Sequence, residues 1–120
     1  MKTKQEYYDE LVCSALDGTF PSVMPDGCMY RGFGGTKCAA GILIPDDQYY
    51  ETMEGCPFDE IYEDLGDIIP KGMTINDVCS IQTWHDDLAW YPDEFSVKFL
   101  RKLKGSKIFD DVKKLELQKQ

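Results

Sequence analysis

Paired close cysteines are missing from this sequence: Cys13, Cys28, Cys38, Cys56 and Cys79 form an odd set with no C-x-x-C. That pattern argues against a secreted disulfide framework and favours reduced thiols among apolar neighbours. It also argues against structural zinc, which wants four N or S ligands and usually shows paired spacings. A set drawn from Cys28, Cys38, Cys79 and the lone histidine, His85, has none. No metal and no cofactor is therefore expected. Long apolar runs are missing too, since nothing approaches the roughly 20 residues that span a bilayer, and no membrane partner is expected. The opening stretch MKTKQEYYDELV lacks the apolar centre of a signal peptide, which points to a cytoplasmic setting.

Bases are scarce through the middle of the chain. Between Cys38 and Val97, fourteen Asp or Glu face a single base, Lys71. From Lys98 to Lys114, seven Lys or Arg face only Asp110 and Asp111. An acidic body with a basic C-terminal segment, at a net charge of −9, disfavours direct binding of duplex nucleic acid. It favours attraction to a basic partner surface, through on-rate and specificity.

What is present fits one globular domain over residues 1–120, with 42% apolar and 12% aromatic residues. Thr3 and Glu6 match a capping box, and Tyr8, Leu11, Val12, Ala15 and Leu16 follow at helical spacing up to Gly18. Pro25-Asp26-Gly27 supplies turn chemistry. CMYR and KCAAGILI flank GFGGT, which predicts a β-hairpin with a glycine-rich connection, although a continuously apolar second arm does not exclude a buried helical turn. Helices are expected from Pro57 to Leu65, from Thr74 with a stripe of Ile75, Val78, Ile81, His85 and Leu88, and from Asp93 to Lys104. Ser106 can cap a last helix carrying Ile108, Phe109, Val112 and Leu115. The expected fold class is α+β, mainly helical, with one short β-hairpin.

Three stretches carry candidate chemistry. The glycine-rich turn offers backbone amides at Gly34 and Gly35 between Arg31 and Lys37, an arrangement able to cradle an anion, with Tyr30 beside it to stack on a ring. GFGGTK matches neither the P-loop nor the dinucleotide fingerprint, and glycines that simply supply positive φ are the competing reading. In TWHDDLAWY, His85 beside Asp86 and Asp87 is a candidate acid–base cluster, and Trp84 a candidate stacking residue. Adjacent helical side chains diverge by about 100°, and His85 falls on the apolar stripe, so a core histidine competes with catalysis. Cys38 beside Lys37 is a conceivable nucleophile. Finally, the acidic run from Asp46 to Asp67 interleaves carboxylates with aromatics. It is either a solvated face or an interface for a basic protein, built from Asp46, Asp47, Tyr49, Tyr50, Glu54, Asp59 and Glu60.

The string CMYRG…GTKCAAGILIPDDQY…MEG, followed by IQTWHDDLAW, resembles a family of small proteins of tailed bacteriophages and prophages. In that family C-x-Y-R-G, K-C-A-x-G-x-L-I-P-D-x-x-Y and M-E-G occur in this order after an N-terminal helix. The likeness covers nearly the whole chain except PDEFSVKFLRKLKGSKIF, which has no counterpart in the pattern. It implies a genomic setting rather than a reaction. A phage accessory protein that counters host antiviral defence by binding is the expected function, acting in the host cytoplasm as a homo-oligomer. It would either inhibit a host defence protein through the acidic run or sequester a signalling nucleotide through Tyr30, Arg31, Lys37 and Trp84. The alternatives are a small hydrolase or phosphodiesterase using His85 with Asp86 or Asp87, and a virion assembly protein. Enzymatic activity is the less favoured of these readings.

Overall fold

Two reciprocal caps start the longest helices. In the computed structural model, which describes residues 2–24, 27–32, 35–65 and 68–114, Thr3 Oγ1 accepts from Glu6 N at 3.0 Å while Glu6 Oε1 accepts from Thr3 N at 2.8 Å. The same device, Thr74 with Asp77, starts the third helix at 3.0 and 3.2 Å. Each cap satisfies two donors that a helix start leaves without an intrahelical partner. The helices are α1 (Lys4–Asp17), α2 (Phe58–Ile61), α3 (Ile75–Leu88) and α4 (Phe95–Gly105). Gly18 closes α1 at φ 91°, the left-handed conformation that glycine adopts without strain.

The buried band of α1 is Tyr7, Tyr8, Leu11, Val12 and Ala15, and Leu16, placed on that stripe from the sequence, is 55% exposed. Tyr7 takes its place, fully buried, with its hydroxyl donating to Ala39 O at 2.8 Å. α1 packs on α4 and α4 on α3, while α2 lies against α3. Phe95, Phe99 and Leu103 form the buried stripe of α4, and Phe20 meets both phenylalanines edge-on. Beyond α4, Ser106 caps only a short 3-10 turn, Lys107–Phe109, whose Phe109 ring sits 5.1 Å from that of Tyr8. Leu115, assigned to a helix there, lies outside the described residues.

The expectation of an α+β fold with a β-hairpin is corrected: the architecture is all-helical, and no sheet layer forms among the described residues. A ladder of two residues per side joins Val23–Met24 to Gly27–Cys28 and shares only Cys28 with the expected hairpin. Within the predicted hairpin, Arg31 with Lys37 is the only antiparallel bridge among the described residues. The predicted second arm instead turns at Ala39 and Ala40 and continues as a 3-10 turn, Gly41–Leu43. The reason is lateral support. Strand 37–44 would need a neighbouring strand for its amides and carbonyls, whereas here the turn's own carbonyls take the amides of Ile42, Leu43 and Ile44 and side chains take several of the other groups. Tyr7 takes the carbonyl of Ala39, Gln82 Oε1 accepts from Ala40 N at 2.7 Å, and Cys38 Sγ accepts from Gly41 N at 3.3 Å. A buried backbone group needs a partner, but the partner need not be another strand.

Among the described residues, no helix is long and apolar enough to cross a membrane.

Candidate functional site

The segment from Tyr30 to Cys56 is organised around Glu54. Its carboxylate accepts from two successive backbone amides, Tyr30 N at 2.9 Å and Arg31 N at 3.1 Å, and from the Tyr49 hydroxyl at 2.5 Å. The anion-accepting amides on the near side of the turn are thus occupied by the protein's own carboxylate through charge-assisted hydrogen bonds. Arg31 is committed through its two terminal nitrogens, while its Nε is buried without a hydrogen-bond partner among the described residues. Its Nη2 donates to Ile44 O at 2.6 Å, its Nη1 pairs with Asp46 at 2.7 Å, and its guanidinium lies 5.0 Å from the centre of the Tyr49 ring. Tyr30 is 7% exposed, with its ring near Phe58 and its hydroxyl donating to Cys56 O. Tyr30 and Arg31, read from the sequence as ligand contacts, and Glu54, read as a contact for a basic partner, tie the chain's own 3-10 turns together. Gly35 and Lys37 flank the turn at exposed and half-buried positions, and Gly34 lies outside the described residues.

His85 is fully buried, between the edges of Phe20 and Phe95 at centroid distances of 5.4 and 5.5 Å. Ser22 N donates to its Nε2 at 3.1 Å, and Asp86 Oδ1 lies 3.0 Å from Nδ1. The hydrogen-bond network assigns the tautomer: Nε2 carries the lone pair, and Nδ1–H donates to Asp86. The same Asp86 oxygen accepts from Gln82 Nε2 at 2.6 Å, and Gln82 in turn holds Ala40 N. The result is a chain of contacts from Ser22 through α3 to the buried turn. Both ring nitrogens are spent on protein partners and no face of the ring reaches solvent, so His85 presents no proton to a substrate. Asp87 is exposed and joins no hydrogen bond with it. Gln82 was not singled out from the sequence, although its i,i+4 spacing to Asp86 on a helix was a legible signal.

Cys38 is 1% exposed, and burial pushes its thiol far above the ordinary value, which removes the thiolate a nucleophile needs. Among the described residues, no group of three or more His, Cys, Asp or Glu is arranged to hold a metal ion. Burial also raises Tyr7, Tyr30 and Tyr49, the last to about 12. All four groups lose a proton more easily from the unfolded chain. Their contribution is therefore intact below the ordinary thiol and phenol values of 9.0 and 10.0 and is lost as pH rises through the raised native ones. The urea midpoint is expected to hold steady below that window and fall progressively above it. A midpoint that is flat through the phenol range would contradict the burial of these hydroxyls.

The acidic run divides. Tyr49 and Glu54 face inward as described, and Asp46 pairs with Arg31 while remaining 85% exposed. Asp47 and Asp59 are exposed. Tyr50, Glu60 and Asp64 instead gather around a groove of about 540 Å³ whose floor includes Met53, Ile61 and Leu65. Asp67 lies outside the described residues. Trp84 is separated from the Tyr30–Arg31 region: it lines a different pocket, beside α4.

No protein-family model, curated protein or solved structure matches the chain.

Proposed function

We propose that this protein acts by binding rather than by catalysis, and that it engages a protein partner with a basic surface, a host defence protein in the phage setting its sequence pattern resembles. The observation that carries this reading is the groove beside Tyr50. Tyr50 is 64% exposed, and it stands with Glu60 and Asp64 over the apolar side chains of Met53, Ile61 and Leu65. An apolar floor under an acidic rim suits a segment that brings a hydrophobic anchor flanked by Lys or Arg. The anchor supplies the binding energy, and the charges supply steering and register. The acidic excess of the chain between Cys38 and Val97 adds to that steering.

Capture of a nucleotide by the glycine-rich turn has less support, because Glu54 already holds the Tyr30 and Arg31 amides beside that turn and Asp46 pairs with a terminal nitrogen of the Arg31 guanidinium. A hydrolase built on His85 has less support for the same kind of reason, since its two nitrogens serve Ser22 and Asp86.

The test is phage plating on bacteria that carry a panel of antiviral defence systems and express the protein. At least one system is expected to lose protection. The double substitution Tyr50→Ala with Glu60→Lys should restore it at unchanged expression and melting temperature, because both side chains are exposed. Each change is expected to weaken the complex about tenfold, or ~1.4 kcal/mol. Full activity of the double variant against the defence would sink the groove as the interface.

A further inference from the structure

The basic segment has its own geometry. Lys98, Arg101, Lys102 and Gly105 recur at i, i+3, i+4 and i+7 and so share one face of α4, next to the buried stripe of Phe95, Phe99 and Leu103. That face and Trp84 of α3, together with Ser106, line a pocket of about 490 Å³. In a chain with 22 acids, no carboxylate is among the lining residues described. Arg101 and Lys102 are exposed and form no ion pair among the described residues, and Lys98 is shared with Glu94 at 2.5 Å on the solvent side. The Ser106 hydroxyl accepts from Ile108 N at 3.1 Å, which leaves its hydrogen to donate.

Complementing the dipole at the end of α4 accounts for cations in the last turn, and Lys104 does this without lining the pocket. It accounts for Lys102 as well, but not for a half-buried indole set against Lys98 and Arg101. An aromatic plane beside clustered positive charge is the pairing that recognises a flat ring carrying phosphate: the base stacks and the cations take the anion. The volume lies within the range of small-ligand sites.

We propose that the pocket between Trp84 and the Lys98–Arg101–Lys102 face of α4 binds a nucleotide unit, its base against the indole and its phosphate on the α4 cations. The ligand is either a free nucleotide or one unit of a single strand. The site is separate from the acidic groove and stands whether or not the groove binds a protein.

Intrinsic fluorescence tests this in a Trp90→Phe background, since Trp90 is 61% exposed, does not line the pocket and is the only other tryptophan. The probes are ADP and a short oligothymidylate, with adenosine and inorganic phosphate as controls. Saturable quenching of Trp84 is expected with at least one probe, at an affinity that falls as salt rises and at least tenfold tighter than either control. Tighter ADP identifies a free nucleotide, and a tighter oligomer with a steeper salt dependence identifies a strand. Arg101→Glu with Lys102→Glu is expected to weaken binding at least tenfold. Gly105→Leu should do the same without changing charge, because a Cβ at Gly105 meets nothing within 4 Å and a longer side chain can enter the pocket. Absence of saturable quenching with both probes overturns the proposal. So does unchanged affinity in the two variants when their melting curves match the parent.

Discussion

Gly41→Ala is expected to lower the melting temperature by about 10 °C, a loss of ~3 kcal/mol, although the substitution adds a single methyl group. A Cβ at Gly41 would sit 2.2 Å from Tyr30 O and 3.0 Å from Tyr30 C. Both are backbone atoms, so no side chain can rotate away to make room. Tyr30 O also accepts from Cys38 N at 3.3 Å, and the flanking amides of Tyr30 and Arg31 are held by Glu54. Moving that carbonyl therefore disturbs the contacts that join the 30–38 turn to the 3-10 segments after it. Gly105→Ala is the control. It too lies in a helical turn, but with open space around its Cβ and no left-handed φ, so it should leave the melting temperature unchanged or raise it by a degree or two. Differential scanning fluorimetry of the two variants gives the comparison directly. A Gly41→Ala protein as stable as the parent would mean that the buried turn does not abut Tyr30 as described.

The same glycine shows why part of this fold was legible and part was not. Caps are local: Thr3 with Glu6 and Thr74 with Asp77 need only a few residues of context, and both helices begin where those pairs stand. The apolar stripe of α3, with His85 on it, follows from helical period alone. The run KCAAGILI carries no such internal instruction. Buried from Cys38 to Ile44, it shows no alternation or helical stripe, and its conformation is decided by Tyr7, Gln82 and the Tyr30 carbonyl, which come from other parts of the chain. The site followed the same division. Arg31 beside glycines reads as an anion cradle because Glu54, the anion that takes the Tyr30 and Arg31 amides, lies more than 20 residues away in sequence. Trp84 reads from the sequence as a stacking residue for the glycine turn, whereas the fold brings it to the cations of α4. Individual chemistry-bearing residues were readable, but which of them meet is a tertiary matter.

His85→Ala separates the core and catalytic readings of that histidine, and a large loss of stability is the expected result. The ring fills a fully buried position between Phe20 and Phe95, so its removal leaves a cavity. It also strands the amide of Ser22, itself fully buried, without an acceptor. Together these cost ~4 kcal/mol, a large share of the total stability of a domain this size. Asp86→Asn is the matched probe. Its remaining side-chain oxygen can still accept from His85 Nδ1 and Gln82 Nε2, so geometry is kept while the charge a catalytic partner would supply is removed. Chemical denaturation is expected to show His85→Ala strongly destabilised and Asp86→Asn within about 1 kcal/mol of the parent. The opposite pattern would revive catalysis: a His85→Ala protein that melts like the parent, and a phosphodiesterase activity of the parent lost in both variants. The buried ring, the single lone pair facing Ser22 and the absence of a solvent-facing nitrogen all favour the first outcome, because an acid–base group must reach the atom whose proton it moves.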